Sequence, residues 1–177
     1  TGGSVSNTIS GLARLGVDVG FIGKIGNDSI GDFFKVDSFE NGVLTYLLGS
    51  QLPSGRCHVL ISPDSERTMC TYLGAASDLR ATDLHERMFS DFDVLHIECY
   101  LVENRELMLR TAEMAKAANM KLSLDLASYN VVESNLEFLR DFVKNYVDIV
   151  FANAEEAFAF TGKQDKEAVA EIASMCD

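Results

Sequence analysis

Four polar residues stand out because of what precedes them. Glu98 follows Val94-Leu-His-Ile97, Asp125 follows Lys121-Leu-Ser-Leu124, and Asn153 follows Asp148-Ile-Val-Phe-Ala152, with Glu156 one turn further on. Carboxylates and an amide at the ends of short apolar runs can accept hydroxyl protons, donate to phosphate oxygens or hold a hydrated cation. A structural reading competes with this one. Asn153 can cap the following helix, and Glu156, three residues on, can close a capping box. Glu98 resists that reading, because Ile97 and Cys99-Tyr100 give it an apolar setting.

Other chemistries find no support in the spacing. Cys57, Cys70, Cys99 and Cys176 contain no CxxC pair, and His58, His85 and His96 lack metal-ligand spacing, so the cysteines read as reduced residues. No GxxxxGK[ST] occurs, and Gly23, Gly26 and Gly31 have the wrong spacing for a dinucleotide turn. No GxSxG elbow supports a hydrolase triad. The charge balance, 15 Lys and Arg against 27 Asp and Glu for a net −12, gives no basic face for a phosphate backbone. Nucleic acid is therefore not an expected partner. No apolar run approaches the roughly 18 residues of a membrane span and no signal peptide opens the chain; the expectation is a cytoplasmic protein without a membrane partner.

The elements that must position these residues follow from periodicity. Val5, Ile9, Leu12 and Ala13 recur at helical spacing after Gly2-Gly3, Val19–Ile25 reads as a strand, and a helix is expected from about Ile30 to Glu40. Val43–Leu48, Cys57–Ser62 and Thr68–Leu73 are strand-like and separated by turns, which predicts an antiparallel meander over Val43–Leu73. From about Asp93 the texture changes to strand–helix alternation. Strands at Val94–Glu98, Lys121–Leu126 and Asp148–Ala152 precede helices near Arg105–Asn119, Ser134–Asn145 and Glu155–Thr161. Three such units point to a parallel sheet covered by helices, and hence to an α/β fold. In such sheets ligands bind beyond the carboxyl ends of the strands, where Glu98, Asp125 and Asn153 fall. The 177 residues, 47% hydrophobic, suit one domain. The Gly-Gly turn has no strand before it, and the chain stops inside a helical pattern. These features suggest an interior piece of a longer protein, one incomplete α/β domain over residues 1–177 with a lid-like segment at 43–73.

The chain resembles the ribokinase-like, or PfkB, carbohydrate and nucleoside kinases. The resemblance rests on Gly2-Gly3-Ser-Val-Ser-Asn7 leading to Gly16, on Phe21-Ile-Gly-Lys-Ile-Gly26-Asn-Asp-Ser-Ile-Gly31-Asp-Phe-Phe34, on Arg67-Thr-Met-Cys-Thr-Tyr-Leu-Gly-Ala75, and on Asn153-Ala-Glu-Glu156. It looks most like the adenosine-kinase-like sugar kinases. The resemblance implies a ribokinase-like fold, a parallel sheet flanked by helices with a small β-rich lid. The implied reaction is phosphoryl transfer from ATP, with Mg²⁺, to an alcohol of a sugar or nucleoside. It further implies that Gly3, Asn7 and Glu98 bind the substrate, that Asn153 positions the phosphates and Glu156 organises the metal, and that Arg67 points toward the transferred phosphate. In some members lids pair between subunits, which makes a homodimer through the lid one expectation. The family's Gly-Ala-Gly-Asp motif, which carries its catalytic base, is absent. Gly74-Ala-Ala-Ser-Asp78 follows the lid strands and is not its equivalent. The base is thus expected downstream, and the chain alone is expected to be inactive. The alternative is a non-catalytic sugar- or nucleoside-binding module of the same fold.

Overall fold

A computed structural model describes residues 2–176. Where the sequence suggests one domain, the chain forms two compact units, Thr1–Leu79 and Arg80–Asp177. Each has its own apolar cluster.

The first unit opens with α1 (Ser4–Arg14) and continues through β1 (Val19–Gly26), α2 (Ser29–Glu40) and β2 (Val43–Ser50). Helix α1 buries Ile9 against Val19 and Val43, with Val5, Ala13 and Phe21 around them. Strands β1 and β2 pair in parallel, from Val19 opposite Val43 to Gly26 opposite Ser50. This corrects the expected meander. Val43–Ser50 is the far strand of a strand–helix–strand crossover, because α2 carries the chain back to the starting end of β1. Only β3 (Arg56–Ile61) and β4 (Arg67–Tyr72) are antiparallel, running from Arg56 opposite Tyr72 to Ile61 opposite Arg67. Every residue of this hairpin is exposed, so within 43–73 the antiparallel pairing is confined to β3 and β4.

The turn between β1 and α2 is tightly built. Asp28 caps α2, its Oδ1 accepting from the Gly31 N–H at 2.8 Å. Its Oδ2 accepts from the Ser54 N–H, also at 2.8 Å, on the segment leading into β3. These bonds, with that of the Ser54 hydroxyl, hold the Asp28 carboxyl down at about 2. The two backbones meet where side chains are missing. A Cβ on Gly26 would lie 2.6 Å from Leu52 O, and one on Gly31 would strike Gly26 O.

The second unit holds β5 (Val94–Glu98), α3 (Arg105–Ala117), β6 (Lys121–Asp125), α4 (Tyr129–Ser134), α5 (Leu136–Tyr146), β7 (Ile149–Phe151), α6 (Ala154–Thr161) and α7 (Asp165–Ala173). The strands form a three-stranded parallel sheet in the order β5-β6-β7. The central strand is buried on both faces, as parallel sheets require, with Leu122, Leu124 and the following Leu126 fully inaccessible. Phe142, Val143 and Leu139 of α5 and Met108 and Ala112 of α3 complete the core. The helix expected near Ser134–Asn145 is α5, and the short α4 precedes it unanticipated, the two separated at Asn135 (φ −130°, ψ 21°). There the Asn135 side chain donates to Val131 O and accepts from Arg105. Gly162 ends α6 in the left-handed conformation at φ 72°. No helix among the described residues is long and apolar enough to cross a membrane.

The amino edge of this sheet is locked by charge. Asp148, its side chain 5% exposed, accepts from Lys116 Nζ, Lys121 Nζ and the Leu122 N–H at 2.7–2.8 Å. Burial alone would raise its carboxyl, but the hydrogen bonds from Lys116, Lys121 and Leu122 outweigh it and pull the group well below its ordinary value. A carboxyl lowered in the folded state contributes stability above its ordinary value, near 4, and loses it as the pH falls. Asp148→Ala is therefore expected to lower the unfolding free energy by about 1–3 kcal/mol at neutral pH. Urea melts should show the deficit closing below about pH 4.

Candidate functional site

The parallel register sets Glu98 opposite Asp125 and Asp125 opposite Phe151, three residues abreast at the carboxyl ends of β5, β6 and β7. Asn153 follows two residues beyond Phe151 and caps α6. Glu98, Asp125, Asn153 and Glu156 thus share one edge of the second unit. Glu98 is 6% exposed, an unusual burial for a carboxylate.

The Asn153–Glu156 pair closes on itself. Asn153 Oδ1 accepts from the Glu156 N–H at 2.9 Å, while Glu156 Oε2 accepts from the Asn153 N–H at 2.9 Å and Oε1 from Asn153 Nδ2 at 2.8 Å. This is the reciprocal capping box that the Asn-x-x-Glu spacing allows. It does not exhaust the carboxylate. Each oxygen carries two acceptor sites and has used one on Asn153, so a hydrated cation's water could still donate to it. Among the described residues, no group of three or more His, Cys, Asp or Glu is arranged to hold a bare metal ion. The donor set therefore fits Mg²⁺ that keeps its waters and rests on phosphate oxygens.

The charges at this edge act on their neighbours. Burial first, then the Asp125 and Glu156 carboxylates, pushes the Cys99 thiol up to about 12. Burial, followed by Glu98, Glu156 and Asp125, raises the Tyr100 hydroxyl. In both groups burial leads and the neighbouring carboxylates add to it. The loop after β6 is shaped to this edge. Asp125 Oδ1 accepts from the Ala127 N–H at 2.8 Å, Ala127 sits at φ 60°, and Tyr100 donates to Ala127 O at 3.3 Å. A left-handed alanine is strained backbone, of the kind that collects at binding sites. Neither Tyr100 nor Ala127 carries a composition signal that sequence reasoning could have used.

The first unit holds the remaining expected residues. Gly3 sits at φ 110° and ψ 140°, just before α1. A Cβ there would find its nearest neighbour, Ser6 Cβ, 3.8 Å away, so the backbone conformation and not crowding requires glycine. Asn7 lies in the first turns of α1, exposed, its N–H donating to Gly3 O at 2.9 Å. Among the described residues its side chain makes no hydrogen bond. Arg67 stands on a different element, at the start of β4, exposed and opposite Ile61. Its guanidinium has no ion pair among the described residues. Asp78, rejected as a catalytic base, accepts from Ser50 Oγ at 2.8 Å and lies 3.7 Å from Lys24 Nζ, a bracing role at the end of β2.

A helix-covered parallel sheet with its polar groups at the carboxyl edge, in a chain that also carries an exposed antiparallel hairpin, defines the ribokinase-like class of α/β proteins. The chain belongs to the pfkB family of carbohydrate kinases, whose profile matches residues 1–176. Guanosine-inosine kinase of Escherichia coli is 29% identical over 175 residues, covering 93% of this chain and 40% of that enzyme. The crystal structure of adenosine kinase from Sinorhizobium meliloti is similar at a TM-score of 0.89 and 30% identity, covering 99% of this chain and 56% of that one. A probable sugar kinase from Rhizobium etli gives 0.90 and 32%, with 99% and 55% covered. The chain thus spans about half the length of the relatives it matches.

The burial and charge around Cys99 make a direct check of this geometry. Alkylation of the native protein at pH 8 is expected to label the exposed Cys57 and Cys70 readily. Cys99 should stay unlabelled until the second unit unfolds. Peptide mapping that finds Cys99 labelled as fast as Cys57 would contradict the buried strand end.

Proposed function

We propose that this chain is the acceptor-binding and lid part of a kinase that transfers the terminal phosphate of ATP to an alcohol of a sugar or nucleoside. The observation that carries the reading is the carboxyl edge of the second unit, where Glu98, Asp125 and the Asn153–Glu156 pair converge within one negative field. Membership of the pfkB family and likeness to guanosine-inosine and adenosine kinases support the substrate class.

In this reading Gly3 lets the acceptor's hydroxyls approach the backbone, and the unengaged amide of Asn7 offers them both a donor and an acceptor. Glu98, buried at the strand end, accepts from a further hydroxyl. Asn153 and Glu156 hold the phosphate region, with water between the carboxylate and the cation. Magnesium, when bound with ATP, neutralises the charge that develops on the phosphates during transfer. Arg67, cationic and exposed on the hairpin, supplies positive charge to the phosphoryl group, and the hairpin excludes water while transfer proceeds. The base that takes the acceptor's proton belongs to the rest of the polypeptide.

The test compares Asn7→Leu with Glu156→Gln in the full-length protein. Asn7→Leu is expected to weaken acceptor binding roughly ten- to a hundredfold by calorimetry and to leave ATP binding nearly unchanged. Glu156→Gln should weaken the magnesium dependence and lower turnover more than it raises the acceptor KM. Equal losses for acceptor and nucleotide in the first variant would return Asn7 to a structural role. An unchanged metal titration with normal turnover in the second would leave Glu156 as a cap only. A full-length protein that binds nucleoside and transfers nothing would favour the non-catalytic binding module.

A further inference from the structure

The exposed hairpin of the first unit makes almost no use of its own faces for support. A two-stranded hairpin standing alone in water is marginal, so its geometry depends on how its two feet are held. The incoming foot is the Leu52–Gly55 segment between β2 and β3. Ser54, 4% exposed, is fixed from both ends, its N–H donating to Asp28 Oδ2 at 2.8 Å and its Oγ accepting from the Gly26 N–H at 3.0 Å. The outgoing foot is tied to the incoming one, because the Ala75 N–H donates to Pro53 O at 2.8 Å. Ala75 is completely buried. The seat itself has no side chains to yield, since the incoming backbone rests on Gly26. Asp28 thus joins the start of α2, through Gly31, to the root of the hairpin, through Ser54.

We propose that Asp28 is a positioning residue for the hairpin: it seats the root of β3–β4 on the β1–α2 turn and thereby sets where Arg67 is presented. The catalytic consequence rests on the lid reading given above; the clamp itself does not. An ordinary helix cap needs only one oxygen, and Ser or Thr would serve as well as Asp. Asp28 uses its second oxygen on a donor 26 residues away in sequence. A charged acceptor makes both bonds stronger than a hydroxyl could.

That difference supplies the test. In the full-length protein, Asp28→Ser keeps an acceptor for the Gly31 N–H and removes the one that reaches Ser54. Hydrogen exchange is expected to quicken roughly tenfold at Ser54, Ala75 and along Arg56–Tyr72, with the amides of α2 unchanged. Steady-state kinetics should show kcat falling by a similar factor while the acceptor KM changes less. Hairpin exchange that stays at the wild-type rate, or rises only in step with α2, would overturn the proposal and leave Asp28 a cap. Faster hairpin exchange with unaltered kinetics would overturn the positioning role and the lid reading while leaving the clamp in place. A wild-type protein that transfers no phosphate would overturn the kinase reading alone, because the exchange comparison still reports on the clamp. If Asp28→Ser does not fold, Ser54→Ala, which removes the bond to the Gly26 N–H, should give the same pattern of exchange at smaller amplitude.

Discussion

Parallel pairing of β5, β6 and β7 is the constraint on which the candidate site depends. A parallel ladder aligns the carboxyl ends of its strands, and its register decides which side chains stand abreast. Glu98 faces Asp125, and Asp125 faces Phe151, because Val94 is paired with Lys121 and Ser123 with Ile149. The crossover helices α3 and α5 enforce that direction, and they pack side by side over the sheet with Met108, Ala112, Leu139 and Phe142 buried in one core. A slip of one residue in β6 would turn Leu122 and Leu124 away from their core positions and carry Asp125 away from Glu98.

The two edges of this sheet use charge in opposite ways. At the amino edge, Asp148 is matched by two lysines and a backbone N–H, and its charge is consumed in holding β6 to β7. At the carboxyl edge burial chiefly raises Cys99 and Tyr100, and the Asp125 and Glu156 carboxylates add to it. The strained Ala127 stands beside that carboxyl edge.

Much of this was legible in the sequence, and the gaps have physical causes. The alternation of apolar strands with helices from Asp93 onward predicted the parallel sheet, and Asn-x-x-Glu predicted both the cap and its closing carboxylate. Val43–Ser50 was misread as part of a meander because a β-branched run bounded by glycine looks the same in parallel and antiparallel pairs. Its partner is decided by the crossover through α2. The short α4 is not anticipated, because the Asn135 amide that follows it shows its hydrogen bonds only when Val131 and Arg105 are in place. Gly26 admits the Leu52–Ser54 backbone and Gly31 the Gly26 carbonyl and the Ser54 side chain, packing that spacing alone does not reveal. No local pattern could connect Asp28 to Ser54.

The most direct measurement of the account is an amide chemical-shift titration of the isotope-labelled full-length protein with magnesium–ATP and then with a purine nucleoside. The carboxyl-edge account predicts perturbations at Glu98–Tyr100, through the Asp125–Ser128 loop and over Asn153–Glu156, with the amino edge silent. Perturbations centred instead on Asp93, Lys121 and Asp148, with the carboxyl edge unmoved, would contradict it.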